Sequence, residues 1–239
     1  MQDNVVAKGI TPIRYRIFED HEWSCQTAKL IENLVSSVLQ VKQHCSIVLT
    51  GGHSAEQLYR LLGDVFTSMF SSIAFFFGDE RCVAVDSIDS NYKMVKESLF
   101  AAEHLLNVTV YRIIGEYNDH REEAERYADL LPDQVDIVLL SLGEDGHIAS
   151  IFPNDRAAIY SDRKVVAVTG TKKPFERITI TPMFIQKARH KIGFICGATK
   201  TNALEKMIST AVTAEEIPAK LVTDCEWCID RSAASSLLT

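Results

Sequence analysis

"DIVLLSLGEDGHIASIFP", residues 136–153, begins as an unbroken apolar run and then sets two carboxylates, two glycines and a histidine side by side. A short apolar run without polar alternation is the pattern of a strand buried on both faces, as in a parallel sheet. Gly143 and Gly146 free the backbone to turn at its end, which displays Glu144, Asp145 and His147 at the mouth of the sheet. In open parallel sheets ligands bind beyond the carboxyl ends of the strands, so chemistry is expected here.

Working outward, residues 46–50 (SIVLT), 73–77 (IAFFF), 108–113 (VTVYRI), 135–140 (VDIVLL), 164–168 (KVVAV), 177–181 (RITIT) and 192–196 (IGFIC) are similar β-rich runs. Helical stretches fall between them, at 55–62, 91–100, 119–130, 182–188 and 201–208. Within residues 23–39, Leu30, Ile31, Leu34, Val35, Val38 and Leu39 show the three-and-four spacing of an amphipathic helix. This alternation predicts an α/β fold, a three-layer Rossmann-like parallel sheet with helices on both faces. No repeat or Gly/Ser-rich linker divides the chain, so one domain over residues 1–239 is expected.

Composition removes several classes of function. Lys and Arg number 25 against 32 Asp and Glu, a net charge of −7 that argues against a nucleic-acid partner or a polybasic membrane anchor. The apolar runs are too short to span a bilayer, and MQDNVVAKGI at residues 1–10 lacks the features of a secretory signal. A soluble, cytoplasmic protein is expected. Six cysteines in a chain of this length point to reduced thiols. Cys225 and Cys228 form a C-x-x-C pair, but "CEWCID" reads as a strand, and a zinc site would need a second ligand pair.

Three further strand ends carry chemistry. In "LTGGHSAEQLY", Gly51 and Gly52 permit a tight turn and close approach to an anion, and Ser54 is placed to cap the following helix. His53 faces either a pocket or solvent. In "FFFGDERCV", Asp79, Glu80 and Arg81 emerge from an apolar strand, where an arginine can grip a phosphate or an oxyanion with paired hydrogen bonds. In "GFICGATKTNALEKM", Lys200 stands at a helix start. "TKKPFERITITP" adds Lys172, Lys173 and Arg177, so the expected pocket is cationic although the chain is acidic.

Taken in order, "GGHSAEQLY", "FGDERCV…DSNY", "GEDGHIASIFP", "ERITITP", "GATK" and "EWCIDRSAAS" resemble the glucosamine-6-phosphate isomerase/6-phosphogluconolactonase family over about residues 50–230. The resemblance implies an isomerase/CoA-transferase-like fold and a sugar-phosphate substrate. Arg81 after Glu80, and Ala149 to Pro153 after His147, match the lactonase branch rather than the deaminase pattern of D-E-Y and A-F-N-E-P. His53, Ala55, Ala84 and Ser141 depart from the lactonase pattern.

That branch implies hydrolysis of 6-phospho-D-glucono-1,5-lactone in the oxidative pentose phosphate pathway, without cofactor or metal. His147 is then the candidate base for water, oriented by Asp145 or Glu144. Arg81 and the Gly51–Gly52 amides would stabilise the oxyanion or hold the phosphate. Lys200, Arg177 and Ser54 are the phosphate candidates, and Asp79 either holds Arg81 or meets sugar hydroxyls. The rivals are a glucosamine-6-phosphate deaminase and a sugar-phosphate sensor without turnover.

Overall fold

A computed structural model describes residues 11–100, 108–222 and 224–238. The signal-peptide reading of residues 1–10 lies outside them. In chain order the elements are β1 (Arg14–Phe18), α1 (Trp23–Val41), β2 (Cys45–Leu49), α2 (His53–Val65), β3 (Ile73–Phe77), β4 (Asp79–Arg81), α3 (Asn91–Ser98), β5 (Thr109–Val110) and α4 (His120–Leu130). They continue with β6 (Ile137–Ser141), α5 (Arg156–Ile159), β7 (Val165–Thr169), β8 (Glu176–Ile180), α6 (Pro182–Lys187), β9 (His190–Ile195), α7 (Thr201–Ile208) and β10 (Glu226–Asp230).

Seven strands form a parallel sheet in the order β1-β10-β9-β6-β2-β3-β5, the central layer of a three-layer α/β fold. From β2 the chain proceeds outward through β3 to β5, then returns to lay β6 on the other side of β2. The strand order therefore reverses between β2 and β6, and the loops leaving those two strands diverge to open a crevice. The opening stretch of sequence lies on one wall of it.

The runs at 46–50, 73–77, 135–140 and 192–196 become β2, β3, β6 and β9, displaced by a residue or two at their ends, and "CEWCID" supplies β10. The run at 108–113 contributes only Thr109–Val110 to the sheet. β1 was not foreseen; as an edge strand, largely exposed, it carries no apolar run and is held by its register with β10.

The runs at 164–168 and 177–181 do not join the parallel sheet. They become β7 and β8, which pair antiparallel with each other, and β8 pairs antiparallel with β4. The physical reason is chain length: a parallel return needs a crossover of about ten residues or more, and residues 170–175 are too few. This small sheet sets Arg81 directly opposite Arg177.

Buried side chains lock the strand ends that matter. The Tyr59 hydroxyl, from α2, accepts from Thr50 N (2.9 Å) and donates to Thr50 O (2.8 Å) just beyond β2. Tyr127, from α4, does the same for Phe77 at the end of β3, at 2.6 and 3.0 Å. Burial pushes both phenols up, so each stays protonated and fills both roles. Toward the β10 edge, Trp23 of α1 donates to Cys228 O (2.9 Å) and packs edge-on against Phe194. All six cysteines are unpaired. No helix among the described residues is long and apolar enough to cross a membrane.

Candidate active site

The crevice ends in a polar cavity of about 240 Å³, lined from β2 by Thr50, Gly51 and Gly52, from β4 by Asp79 and Arg81, and after β6 by Ser141 to Glu144, His147 and Ala149. Lys172, Arg177 and Lys200 complete it. Four separate strand ends thus deliver four cations, two carboxylates and one imidazole to one place.

The loop after β6 is built around the histidine. Gly143 N donates to His147 O (2.8 Å) and Gly146 N to Gly143 O (3.0 Å), closing a tight turn with Gly146 at φ +89°. The imidazole lies against Gly143, where a Cβ would stand 2.1 Å from Nδ1, and beside the Phe152 ring at 4.9 Å between centroids. Nδ1 pairs with Asp145 Oδ1, which leaves Nε2 for the pocket. Asp145 is therefore the orienting carboxylate, and Glu144 is exposed at the rim. Ala149 closes the turn at φ 48°, a backbone conformation that a non-glycine residue adopts at a cost and that clusters at functional sites.

Burial pushes the Asp145 carboxyl up, but the hydrogen bond and charge of His147, helped by Lys172, outweigh it and hold the group well below the ordinary 3.8. A carboxyl depressed on folding contributes stability above its unfolded value, about 4, that is lost as pH falls through the folded one. Asp145→Asn is accordingly expected to lower the urea midpoint at pH 7, and the gap to the parent should narrow progressively as pH falls below about 4. A gap independent of pH would mean the pair contributes through packing rather than charge.

Asp79 is 5% exposed, and both its oxygens are occupied: Ser150 Oγ donates to Oδ2 (2.6 Å) and Asn91 Nδ2 to Oδ1 (3.2 Å) and to the backbone O (2.9 Å). It does not hold Arg81, whose Nη1 instead donates to Asp89 O (2.6 Å). Asp79 is pinned from two sides and turned to the cavity. Glu80 faces away and accepts from the amides of Arg81, Asn91 and Tyr92 and from Ser90 Oγ, so it caps α3. Asn91 and Ser150 occur in stretches quoted above but received no role, because their signal is burial of a polar side chain, which appears only after folding.

Arg177 donates Nε to Pro174 O (3.0 Å) and Nη2 to Lys172 O (3.4 Å) and lies over the Phe152 ring at 5.5 Å. Burial lowers this guanidinium; Asp79 opposes that, and the facing Arg81 adds to it. Lys200 is likewise lowered by burial, offset by Glu144 and lowered again by Lys172. Like charges held opposite one another are unfavourable without an anion between them. The cavity is electrostatically prepared for one.

Ser54 is corrected. The helix begins at His53 with Gly52 as its N-cap, φ 102° and no side-chain cap, so Ser54 falls within the first turn. Its hydroxyl meets the Cys196 thiol and does not line the cavity. His53 is exposed and bonded to Gln57. Lys173 is exposed outside the lining, whereas Lys172 belongs to it.

Fold and cavity together define a parallel-sheet α/β protein with a cationic, histidine-bearing site at the strand-order reversal. The model of the glucosamine-6-phosphate isomerases/6-phosphogluconolactonase family matches residues 19–229. The chain belongs to that family. It is 31% identical to the 6-phosphogluconolactonase of Mycobacterium leprae, over 92% of this chain and 97% of that one. A probable 6-phosphogluconolactonase of Dictyostelium discoideum is 28% identical over 87% and 92%. Among solved structures, the 6-phosphogluconolactonase of Trypanosoma brucei superposes with a TM-score of 0.79 at 27% identity, covering 95% of this chain and 99% of that one.

Proposed function

We propose that this chain hydrolyses 6-phospho-D-glucono-1,5-lactone to 6-phosphogluconate in the cytoplasm, as a single domain, with His147 as general base and without metal or cofactor. The observation that carries the reading is His147, held by Asp145, in the wall of a cavity with four cations. Names of relatives support the substrate. The family also holds isomerases, so the choice rests on the loops, D-E-R at residues 79–81 and A-S-I-F-P at 149–153.

In this reading His147 Nε2 takes a proton from water as the oxygen attacks C1, and Asp145 stabilises the imidazolium. Negative charge collects on the former carbonyl oxygen, where Arg81 or the Gly51–Gly52 amides meet it. The ring C1–O5 bond then breaks, and the proton returns from His147 to O5. The lactone is already an activated ester, so a base and fixed positive charge suffice. Lys200, Arg177 and Lys172 hold the phosphate.

Lactone generated in situ at near-neutral pH is expected to disappear faster with enzyme than in buffer, with a chelator leaving the rate unchanged. The unphosphorylated lactone should react with a kcat/KM lower by on the order of 10² or more, since the cations would remain unpaired. No acceleration over buffer would remove the lactonase reading. Ammonia release from glucosamine 6-phosphate, or binding of 6-phosphogluconate without turnover, would then separate the two rivals.

A further inference from the structure

Asp230 ends β10 in a position that the reaction above does not use. Its side chain is 4% exposed and makes no ion pair with Lys, Arg or His among the described residues. A buried carboxylate of this kind is costly unless hydrogen bonds hold it. Two backbone amides do, Gly197 N donating to Oδ2 and Ala233 N to Oδ1, both at 2.8 Å, and the Cys196 thiol is a further partner.

The bond to Gly197 has a consequence for the pocket. Gly197 leaves β9 at φ +93°, ψ 146°, a conformation nearly confined to glycine. It opens the short 3-10 turn Ala198–Lys200, in which Lys200 N donates back to Gly197 O (3.0 Å), and that turn places Lys200 in the cavity wall. The far side of the clamp is anchored away from the site. Ser232 N donates to Asp20 Oδ1 (2.9 Å), and Arg231 pairs with Glu19 at 3.2 Å, between β1 and α1.

We infer that Asp230 is a positioning residue for Lys200: its carboxylate clamps the Gly197 turn to the end of β10 and so sets where the ammonium meets the substrate phosphate. The inference rests on the proposed phosphate role of Lys200. It extends that role to a residue outside the cavity, within the otherwise unassigned stretch "EWCIDRSAAS".

Asparagine at 230 keeps the shape but has one acceptor oxygen for two amides, so one of the two bonds is lost. Asp230→Asn is expected to raise KM for the phosphorylated lactone on the order of tenfold with a smaller change in kcat. Turnover of the unphosphorylated lactone should be unchanged. In a Lys200→Ala background the same substitution should add nothing, because the group it positions is gone. Gly197→Ala offers a second route if the first variant misfolds: no atom lies within 4 Å of the added Cβ, so only the turn is disturbed, and the same pattern is expected.

Equal losses on both lactones, or full additivity with Lys200→Ala, would overturn the inference and make Asp230 a stabilising residue only. If Lys200→Ala by itself left the preference for the phosphorylated lactone intact, the phosphate role of Lys200 would fall, and this inference with it. Absence of lactonase activity in the parent protein would instead remove the reading of the reaction.

Discussion

His147→Ala is expected to lower lactone turnover by on the order of 10²–10⁴, the usual contribution of a positioned general base. The variant should still bind 6-phosphogluconate, because the cations that face the phosphate come from other loops. The imidazole is the one ring-nitrogen side chain among the carboxylates, lysines and arginines that line the cavity, and its pairing with Asp145 through Nδ1 leaves Nε2 for the water. The measurement is the enzymatic rate after subtraction of spontaneous opening, for parent and variant at one pH. Parent-like turnover in the variant would reassign the base, with Asp79 and Glu144 the remaining carboxylates in the cavity.

Gly143→Ala should be nearly as damaging although it touches no substrate. The new Cβ would stand 2.1 Å from His147 Nδ1 and 2.2 Å from Cε1, far inside contact distance, so the ring must move. Displacing a catalytic group by an ångström costs about 10² in rate, and here the bond to Asp145 is broken as well. Gly143 is not in the left-handed region, so alanine imposes no backbone strain there. The expected signature is a large fall in kcat with a thermal midpoint lowered only by repacking around Phe152. Retained kcat would show that the imidazole works from another orientation.

Much of this site was legible before folding because parallel sheets put chemistry at strand ends, and strand ends are marked by where apolar runs stop. His147, Asp145, Asp79, Arg81, Gly51, Gly52 and Lys200 all lie within a few residues of such a stop, and all line the cavity or, for Asp145, hold a residue that does. Arg177 was found for another reason. It starts a β-rich run, and it reaches the cavity because β8 runs antiparallel beside β4, not because it follows a parallel strand. Ser54 shows the limit of local reasoning: with Gly52 as the cap the helix starts two residues earlier, at His53, and the Ser54 hydroxyl meets Cys196.

The sequence by itself determined most of the strands and helices, though not β1 or α5, that the central strands are buried, and which loops bear reactive groups. Each of those properties is written in hydrophobic periodicity and turn residues, which act over a few neighbours. Only the tertiary structure decided that β4, β7 and β8 form a separate antiparallel sheet and that Asp145 rather than Glu144 holds the imidazole. It also decided that Asp79 answers to Ser150 and Asn91, and that Asp230 reaches the Gly197 turn. The distant pairings join residues far apart along the chain, while Asp145 and Glu144 differ only in how the folded loop turns them. Local periodicity encodes neither; both are fixed when burial of the whole core sets strand order and loop path together.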